Sequence, residues 1–452
     1  MEPVEQLAAA LPGDVVVTDP DAMEKYRHDW SRDESAGKPL AVVRAEDAGQ
    51  VQTAVRWAAE HGIGVVPRGA GSGLSGGSNA VDGAIVLSLE RMGAIEIDTA
   101  CQVAVVEPGA FNAEVKAAAA EHGLWYPPDP SSFEICSIGG NVATNAGGLC
   151  CVKYGVTTDY VLGLDVVLAD GTLISVGGRR IKDVAGLSLL KLFVGSEGTL
   201  GIVTRAILRL VPAQAARSTL VASFASVRGA ADAVVAMRST MRPSMLELMD
   251  RASINAVEDF QAMGLDRSAG ALLIAQSDAP GASRTEEVAV MRAACEAQGA
   301  EVFVTDDAEE GEMFVRARRM SFPALERRGS LLLEDVGAPV PLLPDLLDAI
   351  AAIAAAYDVE IPVVAHAGDG NTHPNIVYDA ADPDSHARAR AAFDEVMQAA
   401  IRLGGTITGE HGIGRAKRAA LPDQLGPDVM ALTRRIKDAL DPQGILNPGA
   451  GF

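Results

Sequence analysis

Cysteine is scarce in this chain: five in 452 residues, with no C-x-x-C pair. An odd count without redox or metal spacing excludes a disulfide scaffold and reads as the reduced thiols of a cytoplasmic chain. Cys150 and Cys151, though adjacent, read as small apolar packers, because neighbouring cysteines bridge each other only with strain. No uninterrupted apolar run approaches the ~18 residues of a membrane span, so no direct span is expected. The N-terminal MEPVEQLAAALPG carries acids where a secretory signal carries Lys or Arg, so nothing there directs export. Basic residues are outnumbered, 38 Lys and Arg against 60 Asp and Glu, for a net charge of −22. That balance argues against nucleic acid and against an anionic membrane surface, both of which call for basic patches. An anionic ligand would need a local positive site set against the global field. The ordinary nucleotide fingerprints, GxGxxG opening a helix and GxxxxGK[ST], are also missing.

What is present is ordinary for a globular chain: 48% apolar and 22% charged residues. At ~100–200 residues per domain, the length suggests two to four domains. The first part reads as mixed α/β. Short β-branched runs at 41–43, 64–66, 84–89 and 103–109 surround a helix at 47–60, whose Val51, Ala54, Val55, Ala58 and Ala59 share one face. A helix at 112–122 and a strand from 163 follow. After Pro212 the pattern resets to strand 218–224, helix 228–241, strand 245–249, helix 251–262, strand 271–276, helix 284–298 and strand 301–304. Successive β-α-β units of this kind suggest a ferredoxin-like layer. A helix at 309–328, a strand at 331–336, a helix at 342–357 and a helix near 427–440 complete the reading.

Three segments interrupt this regularity. PRGAGSGLSGG, Pro67 to Gly77, follows a β-branched strand; its glycines let backbone N–H groups turn inward around an anion and let diphosphate oxygens approach. PPDPSSFEICSIGGNVATNAGG, Pro127 to Gly148, fixes φ at its prolines and releases it at its glycines, as a shaped groove requires. GSEGTLGIVTRAILRLVP, Gly195 to Pro212, runs a glycine turn into a strong strand.

In this order the three segments resemble the flavoprotein family typified by vanillyl-alcohol oxidase and p-cresol methylhydroxylase. Within it, they resemble the branch of FAD-linked D-lactate dehydrogenase, D-2-hydroxyglutarate dehydrogenase and the glycolate oxidase flavin subunit. The resemblance runs from YRHDWS at 26–31 to LNPGAGF at the C-terminus. It implies an α+β chain with a p-cresol-methylhydroxylase-type FAD-binding domain at 1–212. A ferredoxin-like antiparallel-sheet substrate (cap) domain would span 213–403, and a short C-terminal helical segment, 404–452, would return to the flavin. It also implies that Arg68, Gly69, Ala70, Gly71, Ser72, Gly73, Leu74 and Ser75 wrap the FAD pyrophosphate. Pro128, Asp129, Ser137, Gly139, Gly140, Asn141 and Asn145 would follow the ribityl chain and ring. Glu197 and Ile202 match positions near the adenine and ribose, and Asn447 matches one close to the flavin. Some members link the flavin through a histidine of the first loop; none lies between His61 and His122 here, so non-covalent FAD is expected.

Two further motifs suggest a cation. HAGDGNTH places His366 and His373 on either side of a Gly-Asp-Gly turn, where imidazoles facing each other suit Zn, Mn, Fe or Co, or simply bond to backbone. GEHGIGRAKR offers Glu410 as a hard oxygen ligand and His411 as a proton acceptor, or forms a polar loop. Three of only seven histidines fall in these motifs, and two His with one Glu leave coordination positions for substrate. The resemblance implies the same: His366, His373 and Glu410 as metal ligands, His411 as general base. Asn375 matches a substrate-facing asparagine of the hydroxyglutarate enzymes. The cations of VRARRMSFP form a solvated face or a carboxylate fork. Aligned on Phe322-Pro323, Arg318 matches the family's substrate-carboxylate arginine. The hydroxyglutarate enzymes' lysine is Leu333 here, which favours a substrate with one carboxylate.

The implied activity is FAD-dependent oxidation of a small, D-lactate-like D-2-hydroxy acid to its 2-oxo acid, with divalent-metal-assisted deprotonation and hydride transfer to the flavin. A glycolate oxidase flavin subunit and a D-2-hydroxyglutarate dehydrogenase are the alternatives within the family. A flavin-free metal-dependent hydrolase or lyase is the rival from another class, and leaves both glycine loops unexplained. Expected partners are the hydroxy acid and an electron acceptor: an electron-transfer flavoprotein, a quinone reached through partner subunits, or a cytochrome. A cytoplasmic location follows, with any membrane association through a partner.

Overall fold

The computed structural model describes residues 2–33 and 35–452, which form two compact units. The first runs to Gly147, resumes over Val156–Ala213 and ends with Glu410–Phe452; the second combines Gly148–Gly155 with Gln214–Gly409.

The first unit holds two sheets. In one, Ala41–Arg44, Ile85–Ser88 and Val65–Arg68 run parallel, with Val16–Val17 antiparallel at the edge. The helix Ala48–His61 is the crossover from Ala41–Arg44 to Val65–Arg68, between which Ile85–Ser88 inserts. The Asp47 side chain accepts from Gln50 N to start this helix, and Gly62, at φ +62°, ends it in the left-handed conformation that glycine tolerates. Its Val51, Ala54, Val55 and Ala58 are buried in the same core as Ile85 and Leu87. Val65–Arg68 then delivers its carboxyl end into the 67–77 loop. The chain's last residues extend this edge: Val65 N–H donates to Ile445 O (2.7 Å), and Asn447 N–H to Val65 O (2.8 Å). The second sheet is antiparallel, in the order Ile95–Asp98, Val103–Val106, Ile202–Arg209, Val161–Val167, Leu173–Gly177. Val115 and Ala119 of the helix Asn112–Ala120, and Ile138 and Val142 of the helix Ile138–Thr144, join its core.

Ile138–Thr144 lies inside the second glycine-rich segment, where sequence reasoning expects only loop. Glycines at 139 and 140 hide it, but its ends are marked. Ser137 caps the start, and Asn145, at φ +54°, closes the end.

The second unit is the ferredoxin-like layer. Ser218–Phe224, Met245–Asp250, Ala271–Ser277 and Glu301–Thr305 alternate with the helices Val227–Thr240, Arg251–Phe260 and Ala282–Glu296. Counted along the chain, these strands lie in the order 4-1-3-2, every pair antiparallel. Beyond Met245–Asp250 the sheet continues through Val363–His366, Asn371–Tyr378 and Ser330–Leu333. The helix expected over 309–328 is two, Ala308–Arg319 and Ser321–Glu326, because the backbone turns at Met320 just ahead of Pro323. The strand expected over 331–336 is likewise divided, into Ser330–Leu333 and Val336–Gly337.

Among the described residues, Val340–Tyr357 is long and apolar enough to cross a membrane. Within its unit it is amphipathic. Leu346, Leu347, Ile350 and Ile353 are buried, while Arg228 pairs with Asp345 (3.0 Å) and Asp348 (2.6 Å) on the exposed side.

Candidate active site

In the first unit, the 67–77 loop has a lopsided hydrogen-bond inventory. The main-chain N–H groups of Gly71 through Gly77 donate to no acceptor among the described residues. Four of its carbonyls are taken, beginning with Gly73 O by Trp30 N–H (2.9 Å) and Ser75 O by Arg415 and Ala416 N–H (2.9 and 3.1 Å). Gly76 O and Gly77 O accept from Arg415 Nη1 (2.6 and 3.2 Å). A run of donors with its acceptors turned into the protein is the chemistry an anionic diphosphate requires. The loop's shape comes from glycine. Gly71 stands at φ +73°, and a Cβ there would collide with Arg68 Nη2. Arg68 packs under Gly71 and donates to His28 O (2.9 Å), so its side chain braces the loop. At Gly69 a Cβ would strike Ser137 Oγ, and that same oxygen accepts from Ala70 N–H (3.2 Å) and Gly140 N–H (3.4 Å). Ser137 thus joins the first loop to the second.

Other residues implicated by the sequence shape this cradle. Gly139 packs against Pro108. Asn141 is buried, with its carbonyl accepting from Asn112 Nδ2 (3.0 Å). Asn112 also donates to Pro128 O (3.2 Å), while its own Oδ1 is buried without a hydrogen-bond partner. Sequence reasoning missed Asn112, since a single asparagine opening a helix carries no signal. Asn145 Oδ1 accepts from Thr158 N–H (2.8 Å), and Asp129 is half-buried. Ile202 is enclosed in the apolar core, leaving only its main chain for a cofactor.

The 410–415 loop is fastened to the same unit. Ser75 Oγ donates to His411 O (3.0 Å). Glu197, itself in the left-handed region at φ +51°, accepts from Ile413 N–H (2.8 Å) and Gly414 N–H (2.7 Å). Asn447, at φ +41°, donates to Gly77 O (2.9 Å) and Glu197 O (2.7 Å), and accepts from Arg415 Nη2 (3.0 Å). Arg415, not singled out in the sequence, is therefore the tie between the first loop and the C-terminus; burial lowers its pKa. Glu410 and His411 are half-buried, Oε1 and Nε2 lying 3.9 Å apart.

Burial pushes the Glu197 carboxyl above the ordinary range, against the two N–H groups that favour its charge. The folded state then holds this proton more tightly than the unfolded chain. Its contribution is complete below the unfolded value and is lost as pH rises through the raised one. Glu197→Gln should flatten this part of a melting-temperature-against-pH curve. It should also cost about 1–3 kcal/mol, because one of the two N–H groups loses its acceptor.

The second unit holds the remaining candidates. Antiparallel pairing sets His366 opposite Asn371, and His373 opposite Val364. The two rings meet edge to face, with centroids 5.0 Å apart, and both are buried. A ligating atom of each lies within 4.8 Å of the other's. His366 Nδ1 contacts Glu247 Oε1 at 2.7 Å, and Glu247 Oε2 pairs with Arg318 Nε at 2.9 Å. Asp335 Oδ1 stands 3.7 Å from His373 Nδ1. Asp335 Oδ2 accepts from Thr408 Oγ1 (2.7 Å) and from the N–H of Gly409 (2.9 Å), the residue before Glu410. Asn375 donates to His373 O (2.8 Å), keeps a buried Oδ1 without a partner, and sits across the ladder from Leu333. Glu247 and Asp335 lie in apolar strand-like runs, and only the partners that the fold brings reveal them. Two facing imidazoles beside carboxylates fit a divalent cation.

A donor-lined glycine loop on a parallel strand, with the C-terminus tied back across it, defines a nucleotide-binding unit, carried in the same chain as a ferredoxin-like layer. A model of the FAD binding domain matches residues 39–177, and a model of FAD linked oxidases, C-terminal domain, matches 213–450. The glycolate oxidase subunit GlcD of Bacillus subtilis (strain 168) is 41% identical over 419 residues, spanning 92% of this chain and 89% of that protein. The D-lactate dehydrogenase of Archaeoglobus fulgidus is 35% identical, spanning 92% and 91%. Crystalline p-cresol methylhydroxylase with substrate bound shares the fold at a TM-score of 0.84 and 19% identity, covering 99% of this chain and 96% of that one. The 4-ethylphenol oxidase of Gulosibacter chungangensis does so at 0.81 and 20%, with 99% and 96% covered. The chain belongs to the FAD-linked oxidase family and is an FAD-linked oxidoreductase. The flavin-free hydrolase or lyase is thereby set aside.

Proposed function

We propose that this enzyme oxidises a small, D-lactate-like D-2-hydroxy acid to the 2-oxo acid. The observation that carries the reading is the buried constellation of the second unit: an arginine 4% exposed, held by Glu247, which also holds one of two facing histidines. In a protein of net charge −22, such a site answers the need for local positive charge around an anion. The relatives named glycolate oxidase subunit and D-lactate dehydrogenase support a hydroxy-acid substrate.

Arg318 would clamp the carboxylate through its planar fork. His411 would take the hydroxyl proton as general base. His366, His373 and Glu410 would hold a divalent cation, Zn, Mn, Fe or Co, which supplies a Lewis acid to the hydroxyl oxygen. Non-covalent FAD, when bound, would supply the acceptor for the Cα hydride; the hydroxyl proton goes to His411 and the hydride carries away the second proton with both electrons, as the C–O bond becomes C=O. The main-chain donors of Gly71–Gly77 would hold the diphosphate. Leu333, paired across the ladder with Asn375, puts an apolar group where a second carboxylate would need a cation, which favours a monocarboxylate. Electrons would then pass to an electron-transfer flavoprotein, a cytochrome, or a quinone by way of partner subunits, the last in keeping with relatives named as subunits. A cytoplasmic setting suits this chemistry.

Anaerobic titration with D- and L-2-hydroxy acids, following loss of flavin absorbance, tests the reading. D-lactate should bleach the protein and L-lactate should not. Faster bleaching by glycolate would favour the glycolate oxidase reading, which the 41% identity to GlcD supports. No bleaching by any of them would sink both.

A further inference from the structure

We infer that Glu247 is the positioning residue of this site, one carboxylate that sets both the cation-binding ring of His366 and the anion-binding fork of Arg318. The inference rests on the proposed roles of those two residues.

Glu247 lies mid-strand in Met245–Asp250 and is wholly buried. A carboxylate removed from water persists only where partners replace the solvent, and Glu247 has one for each oxygen. Oε1 accepts the Nδ1 proton of His366 (2.7 Å). That contact selects the tautomer whose Nε2 carries the ligating lone pair, fixes the ring plane and raises the basicity of the imidazole. Oε2 meets Arg318 at Nε (2.9 Å). This contact is a charge pairing outside hydrogen-bond geometry, and it holds the buried guanidinium beside Glu247. Arg318 comes from the helix Ala308–Arg319 and His366 from the strand Val363–His366, so neither element sets the other's side chain directly. Glu247 does so by standing between them. The site needs a cation ligand and an anion clamp in fixed orientation, and a single rigid strand supplies it.

Glutamine keeps an oxygen for His366 but loses the charge that holds Arg318 and polarises the ring. Aspartate keeps the charge on a shorter arm. In purified FAD-bound protein, Glu247→Gln should weaken Mn²⁺ binding about 10- to 100-fold by electron paramagnetic resonance titration. It should also weaken pyruvate binding, read as a perturbation of the flavin spectrum, with Glu247→Asp falling between it and the parent. In a His366→Gln background, Glu247→Gln should reduce Mn²⁺ affinity no further, a non-additivity that general destabilisation would not produce. Parent-like affinity for both probes in both variants, or full additivity with His366→Gln, would overturn the role of Glu247. A parent protein that binds neither Mn²⁺ nor pyruvate would instead overturn the proposed function.

Discussion

His411→Ala protein should purify with its FAD and yet be reduced by substrate about 10²- to 10⁴-fold more slowly, the contribution of a positioned general base. Truncation of this side chain leaves its surroundings in place, because the loop is held by main-chain groups. His411 contributes its carbonyl to Ser75, and the next residues give Ile413 N–H and Gly414 N–H to Glu197. Stopped-flow bleaching of the flavin under anaerobic conditions separates the outcomes. Reduction at the parental rate would mean that another group takes the proton.

Gly71→Val should yield colourless protein. Its φ of +73° costs a β-branched residue about 1–3 kcal/mol before any collision is counted. The new side chain would also displace the Arg68 guanidinium from His28 O, removing the brace under the donor row. The measurement is flavin absorbance of the purified protein, and FAD retained at the parental level would show that the Gly71–Gly77 amides do not hold the cofactor. Circular dichroism should remain near the parental spectrum, since the sheet beneath the loop is built from other residues.

Legibility in the sequence followed the range of the forces involved. Strand 218–224 and the alternation of strands and helices through 304 could be read directly, because unbroken apolar runs and 3.6-residue faces are local signals. The fold class was legible for the same reason, and the order of the glycine segments identified the flavin-binding unit. Ile138–Thr144 was not, since its two glycines oppose helix, and the burial of Ile138 and Val142 in the core of the antiparallel sheet is a non-local force that adds to its end caps. At the site, chemistry-bearing residues in polar turns drew notice and those in apolar strands did not. Glu247 in MLELMD and Asp335 after a leucine run look like interrupted core, and Arg415 looks like one more surface cation. Each takes its meaning from partners distant along the chain: His366, Thr408 and Asn447 respectively.

The interrupted course of the first unit has a bearing on biosynthesis. By the time Gly409 leaves the ribosome, every segment of the second unit has been made, the early stretch Gly148–Gly155 included. The first unit still lacks the strand-edge partners of Val65 and the Arg415–Asn447 tie. The half of the protein that is begun first is thus finished last. Nascent chains stalled short of residue 445 should carry a completed ferredoxin-like layer while the flavin cradle waits for its closing residues.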